Sequence, residues 1–191
     1  SAQKAKETFR DSFPKIITVA RLDRRKGHDK ILMLIKNLKS KYPKIRYVSI
    51  GFGNEEKHLI NLCKELSIEK EVIFLKNINE NFKLSLVSES DLFLMPSRKE
   101  GKSVEGFGIS FMEAASYSIP SIGGSYGGAS DAISHNKTGL ICDGDELSSI
   151  HDAVENILSN KKFITFGKTA KEFSKNFHWN KIVKNYLKLI N

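Results

Sequence analysis

Two glutamates, Glu105 and Glu113, stand in the stretch of this sequence that offers the most chemistry, and seven residues separate them. The glycines Gly106 and Gly108 would let the backbone approach a ligand closely. The apolar residues that follow predict a helix beginning near Gly108, whose N-terminus would favour a phosphate or a polar sugar. Glu113 would then lie about one and a half turns into the helix. Because its helical neighbours are mostly apolar, Glu113 needs a polar partner, since an unpaired buried carboxylate is costly.

A second group of candidate residues lies in a basic loop after the first apolar run. Arg21 and Lys26 flank a turn there, and Gly27 then opens a predicted helix. The free N–H groups of that helix favour negative charge. The planar donor fork of arginine and the compact charge of lysine both suit the oxygens of a diphosphate. A solvated surface loop explains the same residues equally well, so this loop alone identifies no site.

A third loop carries the glycine pair Gly51 and Gly53. A dinucleotide-binding loop would need a third glycine where Glu56 stands, and it would follow the first strand instead of the second. Both conditions fail, which argues against a nicotinamide or flavin enzyme. The two glycines still indicate a close approach of the backbone to a ligand, or an unusual turn.

The composition and net charge limit the kinds of molecule that this protein could bind. The chain has 191 residues and a formal net charge of +9. Nucleic acid, an anionic membrane face or phosphate-bearing substrates would each fit that charge. A general richness in Lys, Asn and Ile explains it more simply, and no nucleic-acid-binding signature appears.

Cysteine, histidine and acidic residues give no sign of a metal site. Cys63 and Cys142 lack metal-ligand spacing, and we expect both to be small buried residues in a reducing cytoplasm. No histidine has a partner at ligand spacing, so ordinary polar or helix-face positions are expected for all of them. We therefore predict no metal. No apolar run approaches the roughly 20 residues that span a bilayer.

The elements that must position these loops alternate between short apolar runs and longer amphipathic stretches. Most runs are apolar on both faces, which is typical of a parallel sheet covered by helices on both sides. We predict an α/β fold, a Rossmann-like three-layer αβα sandwich with a mainly parallel six-stranded sheet. Ligands bind such sheets outside the carboxyl ends of the strands. Residues 1–12 are polar and are interpreted as a tag remnant or linker, with one domain over 13–191. The predicted strands are 15–20, 45–50, 72–75, 92–95, 120–122 and 139–142.

Taken together, these motifs resemble the retaining glycosyltransferases called group 1 or family 4, which have the GT-B architecture of two facing Rossmann-like domains. The likeness covers nearly the whole chain, in order, from about residue 15 to about residue 190. Two positions depart from the usual pattern, with Ser118 where glycine is common and Asp131 where glutamate is usual. The matching segments are Arg21-Leu22 with Lys26-Gly27, Met95-Pro96-Ser97, the Glu-x7-Glu pair, Gly127-Gly128 with 138–141, and Phe177-His178-Trp179.

The resemblance implies that this chain is the C-terminal, donor-binding domain, with the N-terminal acceptor domain absent. Arg21 and Lys26 would hold the donor diphosphate, Glu113 the ribose and Glu105 the transferred sugar. The main chain near Ile78 would lie against the base. The catalytic residues would be Glu105, Lys26 and Arg21. The donor-binding residues would be Arg21, Lys26, Gly53, Ile78, Glu105, Gly106, Phe107, Gly108, Ile109 and Glu113.

The function implied is transfer of a hexose, with retention of configuration, from a GDP- or UDP-sugar to a sugar or lipid-linked acceptor. It would serve bacterial cell-surface polysaccharide or glycolipid synthesis, in the cytoplasm or at the inner face of the membrane, without a cofactor or metal. The loop lengthened by residues 100–103 resembles the mannosyltransferase-like branch and indicates GDP-mannose. We expect the fragment alone to bind the donor weakly and to be inactive. The alternatives are a nucleotide-binding regulatory module without catalysis, or a sugar epimerase or phosphorylase of the same architecture.

Overall fold

The computed structural model describes residues 1–100 and 108–175 of the chain. Its centre is a sheet of six parallel strands in the order β3-β2-β1-β4-β5-β6. Ile17 of β1 pairs with Val48 of β2 on one side and with Phe93 of β4 on the other. The strands are β1 (Lys15–Val19), β2 (Arg46–Ile50), β3 (Val72–Leu75), β4 (Leu92–Met95), β5 (Ser121–Gly124) and β6 (Gly139–Cys142).

Helices fill most of the connections between the strands. A short 3-10 turn at Arg24–Lys26 precedes α2, and another at Ser159–Lys161 precedes α8. The helices are α1 (Ala2–Thr8), α2 (His28–Leu38), α3 (Glu56–Glu65), α4 (Glu80–Ser88), α5 (Ile109–Ser116), α6 (Ala129–Ala132), α7 (Leu147–Leu158) and α8 (Lys162–Lys175). None of the described helices is long and apolar enough to cross a membrane.

Two hydrophobic clusters cover the two faces of the sheet. Successive residues of a strand point to opposite faces, so Ile16 enters the cluster formed with α2, α3 and α7, while Ile17 enters the cluster formed with α1, α4, α5 and α6. Helix α8 packs on α5, where Gly167 lies so close to the Ser118 carbonyl that a Cβ would be 1.9 Å from its oxygen. The predicted three-layer α/β fold with a six-stranded parallel sheet is confirmed.

The amino-terminal segment has a structural role that was not expected from its polar sequence. Residues 2–8 form α1, which packs on α4, and both Ala5 and Phe9 are buried in the core. The expected tag remnant or linker at 1–12 is therefore part of the packed domain. Three strands differ slightly from the prediction. β1 ends at 19 instead of 20, β2 begins at 46 instead of 45, and β5 covers 121–124 where 120–122 was predicted. The closing motif at 177–179 and the predicted last helix lie outside the described residues.

Candidate functional site

The basic loop after β1 is tightly built. Arg21 is exposed, whereas Leu22 is buried and anchors the loop. The 3-10 turn that follows ends at Gly27, whose φ of 77° places it in the left-handed region that favours glycine. Lys26 lies in this turn with only 8% of its surface exposed. Of the two cations predicted to hold a diphosphate, Arg21 is therefore exposed and Lys26 is mostly buried.

A buried histidine ties this loop to the sheet. The Nε2 of His28 lies 3.0 Å from the carbonyl oxygen of Arg21, and its Nδ1 lies 3.1 Å from the Tyr47 hydroxyl and 3.4 Å from the Ser49 hydroxyl. Because a carbonyl oxygen only accepts, Nε2 carries the proton and Nδ1 is the acceptor. Burial lowers the pKa of His28 to about 4. The expectation of an ordinary polar or helix-face position is wrong for this residue, which sits neutral in the core beside the candidate site.

The glycine pair after β2 is explained by contact with the neighbouring loop. A Cβ on Gly51 would lie 1.9 Å from the Ala20 carbonyl oxygen, and one on Gly53 would lie 2.2 Å from the Leu22 carbonyl oxygen. The close approach predicted at these glycines is therefore an approach to protein backbone. Contact of Gly53 with a donor stays a prediction.

Helix α5 begins as the sequence predicted and carries Glu113 in its second turn. Gly108 precedes it with φ 66° and ψ 60°, and Ile109 opens the helix with its side chain exposed. The hydroxyl of Ser110 donates to the carbonyl of Val19 at 3.0 Å, which fixes the start of α5 to the end of β1. The N–H groups of this first turn therefore lie at the same edge of the sheet as Arg21.

The polar partner that Glu113 required is Lys83 of α4. The ammonium of Lys83 donates to both carboxylate oxygens of Glu113, at 2.9 and 3.2 Å, and also contacts Glu80 at 2.8 Å. Burial of Lys83 acts to lower its pKa, but the hydrogen bonds to Glu80 and Glu113 outweigh it and raise the pKa. Lys83 therefore stays charged and holds the Glu113 carboxylate in one orientation.

A hollow of about 340 Å³ lies at the carboxyl ends of β1, β2 and β3. Arg21, Phe52, Ile78 and Lys83 are among the residues that line it. Through the pairing of Lys83 with Glu113, the structure brings together three residues that the sequence analysis assigned to the diphosphate, the base and the ribose. This volume lies within the roughly 300–1,000 Å³ of small-molecule pockets.

Among the described residues, only Arg21 and Ile78 of the predicted site residues line this hollow, and Glu113 reaches it through its partner Lys83. Lys26, Gly53, Gly108 and Ile109 are described and lie on the loops or helix beside it, but do not line it. The predicted sugar-contacting residues Glu105, Gly106 and Phe107 lie outside the described residues.

The loop after β4 is fastened to the basic loop by a residue that the sequence analysis did not select. The backbone N–H of Arg98 donates to the Arg25 carbonyl at 2.9 Å, and its guanidinium donates to both oxygens of Asp29, at 2.9 and 3.0 Å. Arg98 is 8% exposed. This ion pair fixes the chain just before the Glu105 loop against the start of α2.

Acidic, histidine and cysteine side chains do not assemble into a metal-binding group anywhere in residues 1–100 and 108–175. Both cysteines are free and buried, as the sequence predicted, and burial raises the pKa of Cys63 to about 11 and that of Cys142 to about 12.

Comparison with known proteins points to one family. A family model described as glycosyl transferases group 1 matches residues 1–177. The chain is 29% identical over 163 residues to a GDP-mannose-dependent alpha-(1-6)-phosphatidylinositol monomannoside mannosyltransferase of Mycobacterium tuberculosis, a match that covers 84% of this chain and 42% of that protein. It is 32% identical over 142 residues to an N-acetyl-alpha-D-glucosaminyl L-malate synthase of Bacillus anthracis, covering 72% and 35%. The chain thus spans less than half the length of these relatives.

Solved structures share the fold. The C-terminal domain of a glycosyl transferase group 1 family protein from Francisella tularensis superposes with a TM-score of 0.75 at 19% identity, covering 92% of each chain. Anabaena HepE in complex with UDP and glucose superposes with a TM-score of 0.83 at 18% identity, covering 99% of this chain and 51% of that one.

Proposed function

This chain belongs to the group 1 glycosyl transferases, and on that premise we propose that it is the donor-binding domain of a retaining hexosyltransferase of GT-B architecture. The full-length protein transfers a hexose from a nucleoside-diphosphate sugar to a sugar or lipid-linked acceptor held mainly by an N-terminal domain. The observation that carries the proposal is the hollow at the carboxyl ends of β1 to β3, which is lined by Arg21, Ile78 and Lys83, the partner of Glu113.

Each part of a nucleoside-diphosphate sugar has a matching group at this edge of the sheet. The exposed guanidinium of Arg21 and the ammonium of Lys26 hold the diphosphate oxygens. The oriented carboxylate of Glu113 accepts hydrogen bonds from the ribose hydroxyls, and the main chain near Ile78 lies against the base. Glu105 and the backbone of residues 106–109 contact the sugar, as the family resemblance implies.

The chemical contribution of these cations is electrostatic. Cleavage of the sugar–phosphate bond leaves growing negative charge on the diphosphate, and preorganised positive groups stabilise that charge without reorganising. Arg21, Lys26 and the N-terminus of α5 supply such groups here. Their interaction strengthens as the bond breaks, so they act on turnover as well as on binding.

The donor and the setting are proposed from the same features. The lengthened loop at 100–103 and the GDP-mannose-dependent mycobacterial relative both favour GDP-mannose, with UDP-sugars as the alternative. Synthesis of cell-surface polysaccharide or glycolipid, in the bacterial cytoplasm or at the inner face of its membrane, fits such a donor. Membership of a transferase family favours glycosyl transfer over a regulatory module, an epimerase or a phosphorylase.

Calorimetric titration of this domain with GDP, UDP and ADP tests the proposal. We expect one of them to bind, and Arg21→Ala to weaken it by roughly 10- to 150-fold, the value of a charge-assisted hydrogen bond. Glu113→Gln should weaken the nucleoside diphosphates but leave inorganic pyrophosphate unaffected, because only the former carry ribose.

The matched control removes a cation elsewhere. Lys64→Ala deletes an exposed lysine of α3 that does not line the hollow, and should leave nucleotide affinity unchanged. Failure of all three nucleotides to bind at millimolar concentration, or equal losses in Arg21→Ala and Lys64→Ala, would remove the basis of the proposal.

A further inference from the structure

One aromatic side chain beside the candidate site is exposed to solvent. Phe52, in the loop after β2, is 62% exposed and has the largest exposed fraction of any big hydrophobic side chain in the part of the chain that the structure describes. Phe52 lines the 340 Å³ hollow, together with Arg21, Ile78 and Lys83. Ligand pockets are lined mainly by apolar and aromatic side chains, so a phenylalanine in this lining is suited to contact a ligand.

The backbone that carries this ring is held on both sides. The N–H of Leu22 donates to the Phe52 carbonyl at 2.9 Å, and the N–H of Gly51 donates to the Leu75 carbonyl at 2.9 Å. The N–H of Glu55 donates back to the Leu22 carbonyl at 3.0 Å. The main chain that carries the ring is therefore fixed. A ligand that binds to the ring loses little free energy to ordering of the loop.

The chemistry of the surroundings selects the kind of partner. Phe52, Ile78 and Val19 offer apolar surface to the hollow, whereas Arg21 and Lys83 place cationic groups beside it. A planar, uncharged ring joined to an anionic group satisfies both halves of this lining. A nucleobase linked through ribose to a diphosphate has that form, and bases stack readily on aromatic rings.

We propose that Phe52 is the stacking platform for the base of the donor nucleotide, opposite Ile78. The inference rests on the proposed function, because it takes the hollow to be the nucleotide pocket. Since any base has a π-face, the platform provides affinity without choosing between purine and pyrimidine by hydrogen bonds. A purine offers the larger ring area, so the contribution of Phe52 is greater for GDP than for UDP.

The test compares ligands with and without a base. Binding of GDP, UDP and inorganic pyrophosphate to the wild type, Phe52→Ala, Phe52→Leu and Phe52→Trp is measured by calorimetry. We expect Phe52→Ala to weaken GDP and UDP by about 5- to 150-fold and to leave pyrophosphate within about twofold. Phe52→Leu should lie between, and Phe52→Trp should retain affinity and show fluorescence quenching by GDP. Urea unfolding of each variant checks that the fold is intact.

The outcomes separate this inference from the proposed function. Wild-type protein that binds none of these nucleotides counts against the proposed function itself. Wild-type binding that Phe52→Ala leaves unchanged overturns the platform alone, as does an equal loss for pyrophosphate. A Phe52→Ala effect confined to association with a second copy of the chain, or with the rest of the full-length protein, likewise overturns it.

Discussion

Mild acidification should destabilise this domain through one buried imidazole, that of His28. The side chain is 1% exposed and lies between the Arg21 carbonyl and the hydroxyls of Tyr47 and Ser49. A second proton would have to enter at Nδ1, which already serves as the acceptor within this group. The folded state therefore favours the neutral form of His28.

The sign and size of the effect follow from the two pKa values. Burial lowers the pKa of His28 from 6.5 to about 4, so the unfolded chain takes up this proton at a higher pH than the folded chain. The stability is fully present above about pH 6.5 and is lost as the pH falls toward about 4. The whole difference is worth about 3 kcal/mol, of which about 2 kcal/mol is lost by about pH 5.

The assay is urea unfolding of the wild type and His28→Gln at about pH 7.5 and about pH 5. The glutamine amide can still donate to the Arg21 carbonyl but does not titrate in this range. His28→Gln lowers the free energy of unfolding at the higher pH, since it loses packing and the contact with Tyr47. The decisive quantity is the loss on acidification, which should be about 2 kcal/mol larger in the wild type than in the variant.

Proton NMR of the folded protein gives an independent check, because the imidazole signals of His28 should titrate with a midpoint near 4. Equal losses of stability on acidification in the wild type and His28→Gln would refute the reasoning. A midpoint near 6.5 in the folded state would refute it directly.

Two further substitutions probe the scaffold of the site by the free energy of unfolding. Lys83→Met keeps the aliphatic stem but deprives Glu113 of two hydrogen bonds, so urea unfolding should show a loss of about 1 kcal/mol. Glu80→Gln, which alters the more exposed partner of Lys83, should change the free energy of unfolding by less than about 0.5 kcal/mol. Equal losses in the two variants would contradict the role of Lys83 as the partner that stabilises Glu113. Gly53→Ala drives a Cβ to 2.2 Å from the Leu22 carbonyl oxygen, and thermal unfolding should report a loss of about 1–3 kcal/mol or more. Asn54→Ala, at an exposed position of the same loop, is its control, and a Gly53→Ala protein as stable as that control would contradict the close backbone contact.

The order of elements and the loops at the carboxyl ends of the strands were readable from the sequence, because both depend on local patterns. Runs apolar on both faces identify buried parallel strands, and the loop residues at their carboxyl ends follow directly from the topology. The loops that carry Arg21 and Ile78 were selected in this way, and both residues line one hollow. The role of Glu113 came from the family resemblance, and its partner Lys83 lines the same hollow. The need of Glu113 for a polar partner was also predictable, since it follows from the apolar residues around it.

Only the tertiary structure decided which residues meet those candidates across the sheet. Lys83 is 30 positions from Glu113 and Arg98 is 69 from Asp29 in the chain, and no short-range pattern links either pair. The burial of His28 depends on Tyr47 and Ser49, which a neighbouring strand supplies. The helix at 2–8 is polar by composition, and the burial of Ala5 and of Phe9 directly after it becomes apparent only when this segment packs on α4. Local periodicity determines which face of an element is buried, whereas the partner of a buried polar group is set by packing between distant segments.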